Sequence, residues 1–235
     1  MNYAKCFAVL AAMGISGVIN SVSAQYGYQL GIQGSPQLSW LINKDELNSR
    51  RFNPQSTING SFGLMYECEL TKNMGIGVDA IYSMQGQYYQ FLAMDFYKKV
   101  NYYKLPVMFC YTPVIGPGLR VIAKAGPQLG ILSSAELLNR EGKAIVKDQR
   151  TAYASNEFGV VAMGGFGFGI TSQLYVDMLL RYDYGITNAE SSTYNTSVNT
   201  PSPPVLTNNA VESSIRSGSH NKTIGISIVL RYCYK

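Results

Sequence analysis

His220 is the only histidine in the chain, and Ser217 and Ser219 stand close beside it. Histidine next to serine suggests a nucleophile–base pair of the kind that carries out acyl transfer. Such a pair needs hydrogen-bond contact and an orienting third group. Ser219 and His220 are sequence neighbours, so in a strand they face opposite sides, and a solvated histidine at a loop edge is the better reading. The run Gly164-Gly165-Phe166-Gly167-Phe168-Gly169 has a Gly-x-Gly spacing reminiscent of dinucleotide binding. It lies inside an alternating segment with no helix after it, so the phosphate-cradling geometry is absent. Cys68, Cys110 and Cys233 are an odd, sparse set, neither a disulfide framework nor a metal-ligand spacing. The expectation is therefore free thiols, no metal, no cofactor and no catalytic residue.

Charged residues remain, and their meaning depends on the elements that carry them. From Ile58 to Leu70 every even-numbered residue is apolar or glycine, and every odd one except Met65 is polar or glycine. This two-residue period recurs in eight segments, near 26–38, 57–70, 74–88, 101–112, 119–133, 156–170, 174–187 and 221–234. Successive side chains of a strand point to opposite faces, so the pattern predicts a large two-faced sheet. The connections alternate between long (39–56, 89–100, 134–155, 188–220) and short (Thr71–Asn73, Pro113–Gly118, Thr171–Gln173). All long loops then leave one rim and all turns the other, as in outer-membrane barrels. The expected fold is all-β: an eight-stranded antiparallel up-and-down transmembrane β-barrel.

Volume decides which face is outside. One face carries Phe62, Leu64, Ile76, Phe109, Phe166, Leu180, Ile228 and many similar residues, while the other carries Gly63, Gly77, Gly126, Gly165 and Gly225. An eight-stranded lumen is just wide enough to be filled by side chains, so the bulky face belongs against lipid. Parity then sends Glu67, Glu69, Asp79, Glu157, Asp177 and Asp183 inward, with Lys104, Arg120, Lys124, Arg181 and Arg231. Six acids against five bases predict a closed, charge-laced plug, because buried ions need partners. Tyrosines near strand ends, among them Tyr26, Tyr66, Tyr82, Tyr103, Tyr182, Tyr232 and Tyr234, suit two interfacial girdles.

Residues 1–24 read as an export signal: Lys5, an uncharged apolar run from Cys6 to Ile19, and Val22-Ser23-Ala24 as a cleavage site. Residues 25–235 form the barrel domain, with both ends on the periplasmic side. Loss of Lys5 lowers the formal charge from +5 to +4, and the scattered basic residues argue against a nucleic-acid partner. The long loops carry Trp40, Lys44, Arg50 and Arg51, then Glu136, Arg140, Glu141, Lys143, Lys147, Asp148 and Arg150, then a Ser/Thr/Asn-rich stretch around Pro201-Ser202-Pro203-Pro204. Loops on a rigid scaffold are where recognition usually resides.

Several stretches resemble the PorT-like outer-membrane β-barrel proteins of the Bacteroidetes. They are Tyr82-Ser83-Met84-Gln85-Gly86, Asn101-Tyr102-Tyr103-Lys104-Leu105-Pro106-Val107, Ala125-Gly126-Pro127-Gln128-Leu129-Gly130 and Arg181-Tyr182-Asp183-Tyr184-Gly185-Ile186-Thr187-Asn188. The resemblance implies an integral barrel of OmpX-like architecture and no catalytic motif. The family's name-bearing member serves protein export by type IX secretion, which makes an export accessory one expected role beside a purely structural or interaction role. A lipid A-modifying enzyme using His220 is a third. Expected partners are outer-membrane lipid and lipopolysaccharide, the barrel-assembly machinery and, for the second role, protein-export components.

Overall fold

The structure, a computed structural model, describes residues 27–42, 53–91, 94–139, 141–146, 148, 150–189 and 219–234. The segment expected to be an export signal, Tyr26, Ser217, the proline-rich stretch and the loop cations Lys44, Arg50, Arg51, Arg140 and Lys147 lie outside those residues.

Alternation becomes strands throughout: β1 (Tyr28–Ile42), β2 (Asn53–Glu69), β3 (Met74–Phe91), β4 (Met94–Tyr111), β5 (Val114–Gly116), β6 (Leu119–Asn139), β7 (Ala144–Val146), β8 (Asn156–Gly169), β9 (Leu174–Gly185) and β10 (His220–Tyr234). Two are three-residue pieces, β5 and β7, each pairing with β6. The other eight pair antiparallel in chain order, and β1 closes on β10 from Tyr28↔Tyr234 to Ile42↔His220. The sheet is a closed eight-stranded up-and-down barrel with no free edge along its wall.

Two turns share one chemistry. Thr71 Oγ1 accepts from the Asn73 and Met74 amides at 3.4 and 3.1 Å. Thr171 Oγ1 accepts from those of Gln173 and Leu174 at 3.3 and 3.0 Å. A threonine hydroxyl that captures amides two and three residues on fixes a tight reversal. The third turn uses Gly118 in the left-handed region, φ 69°, which glycine adopts without steric penalty.

The loop rim departs from the sequence expectation. Residues 89–100, read as a loop, lie almost wholly in the β3–β4 hairpin, which stays paired out to Phe91↔Met94. β6 runs on to Asn139, still paired with β4 at Phe96, so residues 134–139, expected in the loop, belong to the strand. Trp40, placed in a loop, belongs to β1, and His220 opens β10. Here aromatics stand side by side, as in Tyr88-Tyr89 and Phe96-Tyr97, so the two-residue period fades although the ladder continues.

Outside, the wall is apolar. Ile58 is 82% exposed, Leu64 61%, Phe158 60% and Leu180 58%. Inside lies a mixed core that charge parity alone does not show: Met65, Met108, Cys110, Ile122, Val161, Met163, Leu179 and Val229 form one buried apolar cluster. A second, near the loop rim, joins Val100, Tyr102 and Ala135 to Tyr153, which follows a 3-10 turn at Arg150–Ala152. The third long loop thus folds an aromatic ring over the lumen's mouth.

Candidate functional site

Among the described residues, the buried charges gather in the lumen. Of the eleven charges assigned inward, Glu67, Asp79, Lys104, Lys124, Glu157, Asp177, Arg181, Asp183 and Arg231 are buried. Glu69 and Arg120 are half-buried at the turn rim, where β2 ends and β6 begins. The full set approaches neutrality, but its buried part holds five acids and four bases.

These charges fall into tiers along the barrel. At the turn end, Arg231 donates to Asp177 Oδ1 at 2.9 Å and to Gln29 Oε1 at 2.6 Å. Gln29 donates in turn to Glu69. The Tyr175 ring lies 4.2 Å from the Arg120 guanidinium and 5.2 Å from that of Arg231, within cation–π reach. One tier higher, Lys124 Nζ donates to Glu67 Oε2 at 2.7 Å and touches the Met65 thioether at 3.4 Å. Gln33 bridges nearby strands along the inner wall, donating to Asp79 at 2.8 Å and accepting from Ser227 at 3.3 Å.

Arg181 holds the next tier. It grips Asp183 with two parallel bonds, at 3.0 and 2.8 Å, and donates to Gln128 at 3.1 Å. Thr223 adds a 2.7 Å bond to Asp183, and Lys104 stands 3.9 Å away. The sequence set Arg181 between Asp177 and Asp183; the geometry gives Asp177 to Arg231 on the neighbouring strand. Glu157, highest of the acids, receives Asn221. Asp79 and Glu157 are held by amides, with no ion pair to either among the described residues.

Above these tiers the plug is neutral and polar. Ser39 and Thr57 donate to the Gly86 carbonyl at 3.0 and 2.8 Å, while Gln37 reaches Ser83 and the Met84 carbonyl. A shallow cleft opens at the mouth, lined by Trp40, Gln87, Lys98 and Tyr153 among others. Buried acceptors left without partners include Glu67 Oε1, Asp79 Oδ1 and Asp177 Oδ2. Among the described residues no cluster of His, Cys, Asp and Glu is suited to hold a metal.

The inward glycines are explained by the wall itself. A Cβ at Gly126 would stand 1.9 Å from the Val107 carbonyl oxygen, and one at Gly165 2.0 Å from that of Met178. At Gly167 the obstruction is the Asp177–Arg231 pair instead. Backbone of the adjacent strand, more than lumen crowding, excludes side chains at the first two.

Ser219 and His220 stay apart. Ser219 is fully buried on the lumen side. His220 stacks on Tyr184 with ring centroids 5.9 Å apart and places Nδ1 3.1 Å from the Gly185 carbonyl. Cys68, Cys110 and Cys233 are free thiols, the last two on strands four places apart around the ring.

No family model matches the sequence, and no curated protein does. Among solved structures, Neisserial surface protein A (NspA) superposes with a TM-score of 0.51 at 11% identity, over 88% of this chain and 97% of NspA. The chain has the fold of a small outer-membrane barrel. OprG from Pseudomonas aeruginosa gives a TM-score of 0.49 at 10% identity, over 89% of this chain and 96% of its own. At such identities the likeness is one of architecture.

Proposed function

We propose that the protein is an integral outer-membrane β-barrel with a structural or interaction role, a plugged lumen and no catalysis. The observation that carries this reading is the inverted distribution of side chains. Charges and amides fill the interior, while a belt of Leu, Ile, Val and Phe at 40–82% exposure surrounds the wall. Exposed apolar surface of that extent is unfavourable in water and suits lipid. The three threonine- and glycine-built turns then face the periplasm together with both chain ends, and the longer connections face out. Carbonate and urea washing of membranes checks the reading: the protein is expected in the pellet, with a heat-dependent gel shift. Release into the supernatant would overturn it.

A second reading, accessory to protein export, is favoured by the four stretches that resemble the PorT-like family. Two of them adjoin in the wall: Leu105↔Leu129 and Pro106↔Gln128 pair across β4 and β6, and Gly126 packs under Val107. Tyr82 and Tyr103 bring a third alongside, with ring centroids 5.3 Å apart. Deletion followed by an assay of secreted cargo separates the two roles, since a structural barrel leaves secretion intact. The opposed placement of Ser219 and His220 disfavours lipid A modification; profiling lipid A mass in a His220→Ala strain tests that role.

A further inference from the structure

Lys222 is half-buried on the outward face of β10. Rings flank it there. Its Nζ lies 5.3 Å from the centroid of Trp40 and 5.4 Å from that of Tyr182. The register sets Lys222 opposite Trp40 on β1 and Tyr184 on β9. His220, the next outward residue toward the loop rim, stacks on that same Tyr184. The outward positions of β1, β9 and β10 hold no Asp or Glu. Among the described residues no carboxylate pairs with Lys222, unlike the lysines of the lumen.

Depth adds a second observation. From Lys222 to Tyr232 the chain advances ten residues along β10, about 33 Å at roughly 3.3 Å per residue. Tilted by roughly 40°, that path rises about 25 Å, the height of an outer-membrane apolar band. Tyr232 and Tyr234 mark one interface, and Ile224, Ile226, Ile228 and Leu230 fill the span. Lys222 then lies at the other interface, where phosphates are. A cation is tolerated there and strongly disfavoured at the midplane. The two rings limit its freedom by cation–π contact and leave its open side toward lipid.

We propose that Lys222, flanked by Trp40 and Tyr182 and with His220 toward the rim, seats the phosphate of an anionic lipid headgroup in the loop-side leaflet. The proposal rests on the membrane reading above. Its occupant is lipid-borne, because the site opens on the outer wall and not into the lumen.

Trp40 is the chain's only tryptophan and reports on the site directly. The folded protein is reconstituted in bilayers mixing phosphatidylcholine with phosphatidic acid, with brominated chains on one lipid or the other. Quenching of Trp40 then gives the relative affinity for the two. The wild type is expected to favour phosphatidic acid about fivefold, the increment of one interfacial lysine. Lys222→Gln should bring the ratio to about one, and Lys222→Arg should restore it. Lys72→Gln, in the turn at the opposite rim, should leave it unchanged. A wild-type ratio near one, or no loss in Lys222→Gln, overturns the proposal. Loss of the preference on adding inorganic phosphate overturns the lipid assignment in favour of a free anion. The wild-type ratio needs no substitution, so a variant that fails to insert leaves the test standing. Failure of the wild type itself to insert would overturn the membrane reading and the site together, whereas insertion without preference removes only the site.

Discussion

Arg181 shows how a buried charge is held inside the lumen. Its guanidinium meets both oxygens of Asp183 and the amide of Gln128, satisfying charge and hydrogen bonds in a space closed to water. Arg181→Glu removes that cation and sets a new acid against Asp183. Breaking a buried pair costs about 3–5 kcal/mol, and reversal should cost at least as much. Lys143, whose side chain is 80% exposed beside Glu141, should accept the same change within about 0.5 kcal/mol. Urea-dependent folding into lipid vesicles, read by the gel shift of the folded barrel, compares the two; equal tolerance would remove Arg181 from the lumen. Loop chemistry is separable from lumen chemistry. The Arg150 side chain and backbone amide bond Asp148 from 2.8 to 3.2 Å and hold its carboxyl at about 2, below the usual 3.9 or so. Because the folded value is depressed, the clamp's contribution is present above the unfolded value and is lost as pH falls through about 2. Arg150→Ala removes the guanidinium and keeps the backbone amide bond, so it should raise Asp148 toward the ordinary carboxylate range, a change visible by carbon-detected NMR titration.

At the scale of the strand, alternation made the wall legible wherever one face meets lipid. Residues 58–69 lie in β2, and the odd and even positions separate in burial as they do in the sequence, except at Cys68, which is buried beside the turn. Legibility failed at the loop rim, where Gln87–Phe91 and Asp95–Lys98 are paired yet carry adjacent aromatics, Tyr88-Tyr89 and Phe96-Tyr97, in place of a two-residue period. It failed partly inside as well. Met108, Ile122, Val161 and Leu179 occupy the inward face, and the available signal was doubled apolar pairs such as Val121-Ile122, Val160-Val161 and Leu179-Leu180. Met65, the exception to the alternation in β2, was the same signal. Glycine placement was visible, but its cause was not: the neighbouring strand's carbonyl needs coordinates to be seen. Gly126→Ala should therefore destabilise the barrel by about 1–3 kcal/mol or prevent closure, as overpacking does. Gly34→Ala, with nothing within 4 Å of its Cβ, should fold like the wild type. The same gel-shift assay decides, and a normal Gly126→Ala barrel would show that β4 and β6 can part.

For the whole molecule, the interior determines what can pass. Ion pairs, glutamine bridges and the apolar cluster fill the barrel from the Arg231 tier to Tyr153, as expected of an eight-stranded lumen. Purified protein in planar bilayers should give no stable stepwise conductance; reproducible unitary steps would refute the plug. The identities of the lumen residues were readable by parity, but their partners were not, because pairing depends on register and stagger around the ring. Asp177 is the example, since its mate, Arg231, lies 54 residues away on β10.

The seam between β1 and β10 carries a further consequence, for the order in which the chain folds. Contacts across it join residues as far apart as Gln29 and Arg231, 202 positions distant, so loop-closure entropy makes it the last ladder to zip. Yet Tyr28 and Tyr234 end side by side, their rings 4.8 Å apart. A short linker between them would abolish the natural termini, and new ones could be cut at Thr171–Gln173. In that circular permutant β10–β1 becomes an ordinary hairpin and β8–β9 the late seam. Pulsed hydrogen exchange during refolding should then show protection arriving last at Phe166–Met178 instead of Leu30–Tyr232, with the finished barrel unchanged.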